Sequence, residues 1–156
     1  MPLVIAHRGA SADRPENSLA AFEEAARQGA DGVELDVRLT ADDQLVLSHD
    51  RRLSDGTVID RTTAAELRLR QTLESLPDAL GVAPGIVNVE VKSDESAEHL
   101  ARRMLVLDLV LAQLDDRPGS QRFVLSSFDL DILALLQGLD LSLIQIYMPT
   151  RPYLTS

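Results

Sequence analysis

The chain contains no cysteine, so a disulfide framework, a thiolate metal centre and a cysteine nucleophile are all excluded. It has no tryptophan, and aromatic residues make up only 3% of it, which leaves few platforms on which bases could stack. Basic residues are in deficit. Fifteen Lys and Arg stand against 25 Asp and Glu, a formal charge of −10, whereas a nucleic-acid binder needs a basic face. Nucleic acid is therefore not an expected partner, although the composition allows a localised basic pocket. No apolar run is long enough for a membrane span; the most apolar late stretch, residues 132–148, is broken by Gln137, Gly138, Asp140 and Gln145. The early run Leu3-Val4-Ile5-Ala6 has no basic segment before it, so it does not read as a secretory signal, and a cytoplasmic setting is the expectation. What is present, 45% hydrophobic and 26% charged residues over 156 positions, suits one globular domain spanning 1–156.

Apolar runs and helical periodicities alternate along the chain. Residues 3–6 form a short continuous apolar run, which predicts a strand buried on both faces. Leu19, Phe22, Ala25 and Ala26 recur at helical spacing over residues 18–28, with Gly29 placed to end that helix. Residues 32–39 and 45–48 read as strands separated by the polar turn Thr40-Ala41-Asp42-Asp43. Residues 51–83 are the least legible, with helical patterns over 63–70 and 73–80. Pro84-Gly85 precedes a strand at 86–91. A long helix over 94–114 follows, on which Leu100, Met104, Leu107, Leu111 and Leu114 mark the core face. Strand 123–126, helix 129–136 and strand 143–147 complete a β-α-β-β-(α)-β-α-β-α-β order, hence an α/β chain with a mostly parallel sheet.

The polar residues fall at the strand ends, where α/β folds collect their chemistry. His7-Arg8-Gly9 follows the first apolar run directly. Glu34 and Asp36 alternate with Val33, Leu35 and Val37, so both carboxylates share one face of a strand. Two inward acids repel each other and are costly to desolvate unless a cation or a proton neutralises them. Glu90 and Lys92 repeat the device between Val89 and Val91, and His49-Asp50 ends another strand. An all-oxygen ligand set suits a hard divalent cation. Together with Arg8 and Lys92, that cation would draw an anionic substrate such as a phosphate. Two histidines beside it can act as base and acid. A divalent-metal phosphodiesterase is the reading that follows.

At these residues the chain resembles the glycerophosphodiester phosphodiesterase family. The resemblance rests on Ile5-Ala6-His7-Arg8-Gly9, Pro15-Glu16-Asn17-Ser18 with Ala21-Phe22, Glu34-Leu35-Asp36-Val37, Thr40 with Asp42, the run from Val46 to His49-Asp50, Asn88-Val89-Glu90-Val91-Lys92, and Ser127-Phe128. It implies a TIM (β/α) barrel and Mg²⁺- or Ca²⁺-dependent hydrolysis of a small-molecule glycerophosphodiester to sn-glycerol 3-phosphate and an alcohol. His7 and His49 would then be the acid/base pair, Glu34, Asp36 and Glu90 the ligands of one divalent cation, and Arg8 and Lys92 the phosphate-binding residues. Asn17 and Phe128 would line the pocket or support it. Whether water or the neighbouring glycerol hydroxyl attacks stays open. Ser18 stands where Thr is usual, and no large substrate-capping insertion separates His49 from Glu90.

A complete barrel has eight strand-helix units and about 250 residues, so this chain is expected to form an incomplete barrel of about six units. Inward-facing apolar residues and two open sheet edges would then favour self-association. Other readings compete at single positions. Glu34 and Asp36 could form a buried ion network with Arg8 or Lys92, Glu90 and Lys92 a structural salt bridge, and Asn17 a helix N-cap. His49 could be a turn residue. His99 is expected on a solvated helix face, and Ser126-Ser127 lack the glycine-flanked elbow of a hydrolase nucleophile. At the level of the whole chain, the alternatives are a lysophospholipase D- or sphingomyelinase D-like lipid enzyme, and a non-catalytic remnant binding metal or phosphate.

Overall fold

The computed structural model describes residues 2–93, 100–115 and 121–137, together with the backbone of residues 144–147. The elements run β1 (Ile5–His7), α1 (Leu19–Arg27), β2 (Gly32–Leu39), β3 (Leu45–Leu47), a 3-10 turn (Ile59–Arg61), α2 (Ala64–Arg68), α3 (Leu76–Val82), β4 (Ile86–Val91), α4 (Leu100–Asp115), β5 (Arg122–Ser126), α5 (Leu130–Gln137) and β6 (Ile144–Tyr147). Strands β1, β2, β4, β5 and β6 lie side by side in chain order and run parallel, while β3 pairs antiparallel with β2 off that path. The order never reverses, as it would in a doubly wound sheet. With right-handed crossovers, every connecting helix is then carried to one face. This is the wall of a TIM-type barrel, in which five of the six strands follow the barrel path.

The two faces of the sheet have different chemistry. Val33, Leu35, Val37, Val87, Val89, Val91 and Leu125 point outward and form the main core with Phe22 of α1, Leu80 of α3, Val110 of α4 and Ile132 of α5. The inward face carries Glu34, Asp36 and Arg38 of β2 and Asn88 and Glu90 of β4. The expected inward apolar patch is thus not found among the described residues. Polar side chains occupy that face, with Ile5, Ile86 and Val124 as its apolar members. A smaller cluster of Val46, Leu53, Ile59, Leu67 and Leu73 closes the region that was hardest to read. Among the described residues no helix is long and apolar enough to cross a membrane.

Three expectations are corrected. The first strand is not buried on both faces: it starts two residues later than expected, and Leu3, Val4 and Ile5 are 59%, 58% and 37% exposed. It has a strand partner only on its β2 side among the described residues, so no second neighbour covers it. On α4 the buried positions are Val106, Leu107, Val110 and Leu114, while Leu100 and Met104 are exposed. Leu107 and Leu114 of the expected face are buried as read, but in the first turns Arg103 lies inward and pairs with Asp129 at 2.6 Å. Finally, the helix read at 73–80 begins at Leu76, because the Ser75 side chain caps it and Leu73 tucks into the smaller cluster. The start of the helix read from residue 94, and His99 within it, lie outside the described residues.

Candidate active site

The site begins where β1 ends. Arg8 and Gly9 both have left-handed backbones, with φ of 58° and 78°, a conformation that glycine adopts freely and arginine at a cost. Gly9 is also required sterically: a Cβ there would lie 2.7 Å from the Cβ of Ala21 on α1. This turn aims the Arg8 N–H at Glu34, donating to Oε2 at 3.0 Å. It also leaves His7 with a 69% exposed side chain, its Nε2 3.8 Å from the same oxygen.

The strand register assembles the acids. Asp36 of β2 lies opposite Glu90 of β4, and Glu34 opposite His7 of β1. Alternation puts Glu34, Asp36 and Glu90 on one face, each with a ligand oxygen within 4.8 Å of the others. They are 6%, 1% and 8% exposed. Glu34 Oε1 is buried without a hydrogen-bond partner, which is costly for a carboxylate oxygen. Burial, reinforced by the neighbouring Asp36 charge, pushes the Glu34 carboxyl up to about 7. The donor set is all oxygen, the arrangement a hard divalent cation takes. These residues therefore fit such an ion.

Two cationic side chains border the acids. Arg8 Nε lies 3.3 Å from Asp36 Oδ2, and its Nη1 donates to Glu16 at 2.9 Å. Lys92 Nζ lies 2.9 Å from Asp36 Oδ1, pairs with Glu90, and sits 5.7 Å from the centre of the Phe128 ring, within cation–π range. Asn17 is not the helix cap. Ser18 fills that role, its Oγ accepting from the Ala21 N–H at 3.1 Å. Asn17, with φ of 54°, instead grips Asp36 twice. Its Nδ2 donates to Oδ2 at 2.9 Å, and its Oδ1 accepts from the Asp36 N–H at 3.1 Å.

His49 reaches the same region from the segment after β3, with Nδ1 2.8 Å from Asp50 Oδ1. It shares a cleft of about 720 Å³ with Arg38, Glu90, Lys92, Phe128 and Asp129. Ser126 and Ser127 carry no nucleophile geometry: Ser126 donates to Asn88 at 3.0 Å, and buried Ser127 to the Val91 carbonyl at 2.7 Å. Sequence reasoning passed over Arg38. The signal was present, since Arg38 has the same strand parity as Glu34 and Asp36.

A family model described as the glycerophosphoryl diester phosphodiesterase family matches residues 7–151. A glycerophosphodiester phosphodiesterase of Caldanaerobacter subterraneus is 55% identical over 64 residues, 41% of this chain and 24% of that relative. A solved glycerophosphodiester phosphodiesterase of Thermotoga maritima superposes with a TM-score of 0.69 at 33% identity, over 85% of this chain and 57% of the other. A phosphodiesterase of Oleispira antarctica, solved with the product sn-glycerol-3-phosphate, gives a TM-score of 0.83 at 30% identity, covering 95% of this chain and 66% of the other. The match thus spans about a quarter of the curated relative and less than two thirds of each solved structure.

Proposed function

The chain belongs to the glycerophosphoryl diester phosphodiesterase family, and from that premise we propose that it hydrolyses glycerophosphodiesters to sn-glycerol 3-phosphate and an alcohol. One divalent cation, Mg²⁺ or Ca²⁺, would be held by Glu34, Asp36 and Glu90. The observation that carries this is the burial of three convergent carboxylates, with Glu34 Oε1 lacking a hydrogen-bond partner, beside two histidines. When bound, the cation supplies Lewis-acid polarisation of the phosphate. Arg8 and Lys92 bring positive charge to the same place, suited to binding phosphate oxygens and stabilising their charge in the transition state. His7 and His49 act as the acid/base pair, one taking the proton of the nucleophile and the other protonating the leaving alcohol oxygen. Asn17 fixes the Asp36 carboxylate, and Phe128 forms part of the wall. A single partial domain over 1–156, a cytoplasmic setting and self-association through the margins of the sheet belong to the same proposal.

A structural ion network is the competing reading. The pairing of Asp36 with both Arg8 and Lys92 favours it, and the partnerless Glu34 Oε1 counts against it. Incubation with glycerophosphocholine in Mg²⁺, Ca²⁺ or EDTA, followed by assay of glycerol 3-phosphate, separates the two. Release that depends on the cation supports hydrolysis. A folded protein without turnover contradicts it.

A further inference from the structure

Strand β2 carries a third inward residue, Arg38, two positions beyond Asp36. Its half-buried guanidinium donates from both Nε (3.2 Å) and Nη2 (2.6 Å) to the backbone carbonyl of His49. The position of that carbonyl explains the contact. β3 ends at Leu47, and the Ser48 N–H makes the last backbone bond of this segment to β2, on the Asp36 carbonyl at 3.1 Å. Beyond Ser48 the chain leaves the sheet, and a side chain takes over from the ladder. The far end of the same segment is also pinned. Arg51 forms two 2.8 Å bonds with Asp60, and its carbonyl accepts from the Ile59 N–H at 3.0 Å.

We propose that Arg38 is a positioning residue for His49. Two charge-assisted donors on one carbonyl fix the orientation of the His49 peptide, and so the direction in which its imidazole leaves the backbone. The imidazole is tied separately through Nδ1 to Asp50, which leaves Nε2 as the ring atom for proton transfer. Arg38 therefore acts on the chemistry without touching the reacting atoms. β2 thereby links two functions: Glu34 and Asp36 at the cation site, and Arg38 at the acid/base residue. Lysine cannot reproduce the contact, because its ammonium lacks the planar fork.

This inference rests on the acid/base role proposed for His49, and its test separates the two. Small displacements of a reacting group cost on the order of 10²-fold in rate. In Arg38→Ala, kcat for glycerophosphocholine should therefore fall about 10- to 100-fold. KM and cation affinity should stay within about threefold, since Arg38 holds neither substrate nor metal. Arg38→Lys should fall between, and thermal melts of both variants report on folding. In a His49→Ala background the Arg38→Ala change should have almost no further effect. Equal losses in the two backgrounds, an unchanged kcat, or a loss confined to KM or cation affinity would each overturn the proposal. Carbon relaxation of the imidazole Cε1–H groups reads the same effect without turnover, since the chain has only three histidines. The His49 ring should become more mobile in Arg38→Ala and Arg38→Lys, while the His7 ring does not. If wild type shows no turnover, the acid/base reading fails alone, and an unchanged His49 ring would still refute the positioning role.

Discussion

β1 and β2 lie side by side in parallel register, with Ile5 opposite Gly32 and His7 opposite Glu34, and both read as apolar segments. Their fates differ. β2 has β1 and β4 on its two sides, and β3 beyond, and its Val33, Leu35 and Val37 are fully buried. β1 pairs with β2 alone among the described residues, and Leu3, Val4 and Ile5 remain exposed. Burial is therefore set by how many neighbours a strand has, as much as by its side chains. The same difference divides the chemistry. The carboxylates of β2 are enclosed, which suits cation ligands, while His7 at the end of β1 is open, which suits a group that must meet substrate.

The largest effects should come from testing that division directly. His7→Ala should lower kcat by about 10²- to 10⁴-fold, the range for lost acid/base catalysis. Its cation affinity and melting temperature should stay close to wild type, because the side chain is exposed. A collapse of stability would show that the end of β1 is structural instead. In the core, Leu35→Ala should cost about 2–5 kcal/mol by denaturant titration, whereas Ile5→Ala should cost less than about 1 kcal/mol. Similar losses at the two positions would erase the contrast between the strands.

The pH dependence of stability sharpens the comparison further. The Glu34 carboxyl is raised to about 7 from its ordinary 4.5, so between those values the folded state keeps a proton that the unfolded state has lost. Stability contributed by this group is accordingly present below about pH 4.5 and lost as pH rises to about 7, a change on the order of 3 kcal/mol. Thermal melts of the metal-free protein from pH 5 to 8 should show the loss, and Glu34→Gln should remove it. A wild type whose stability does not fall across this window, or a variant that still loses it, would refute the buried, proton-holding carboxyl. The smallest effect is expected on β1. Val4→Lys should reduce self-association in light scattering after size exclusion while changing stability by less than about 0.5 kcal/mol; an unchanged mass distribution would remove the β1 margin as a contact.

Much of the inner face of the sheet was legible in advance. Glu34 with Asp36, and Glu90 with Lys92, stand out because charges on the inward face of a barrel strand are costly to bury without a neutralising partner. What escaped depended on tertiary neighbours. The open edge of β1 followed from the count of strand-helix units, but the exposure of Leu3 and Val4 did not, since an apolar run carries no record of what covers its faces. On α4, Leu100 and Met104 fit the helical period as well as Leu107 and Leu114 do, but they fall in the first turns, where Arg103 pairs with Asp129 and the two apolar side chains stay exposed. Asn17 and Ser18 are both good N-caps. The left-handed backbone of Asn17 and the nearness of Asp36 assigned the cap to Ser18. Arg38 was missed because an arginine at a strand end resembles ordinary surface charge until its acceptor, a carbonyl 11 residues away, is known.

Calorimetric titration of Mg²⁺ and of Ca²⁺ into the wild-type chain and into Glu90→Gln tests the cation site most directly. One saturable site is expected in wild type, with affinity at least about 100-fold weaker in the variant, since a neutral amide replaces a charged ligand. No binding to the folded wild type, or equal affinity in the two proteins, would contradict a cation centre built by β2 and β4.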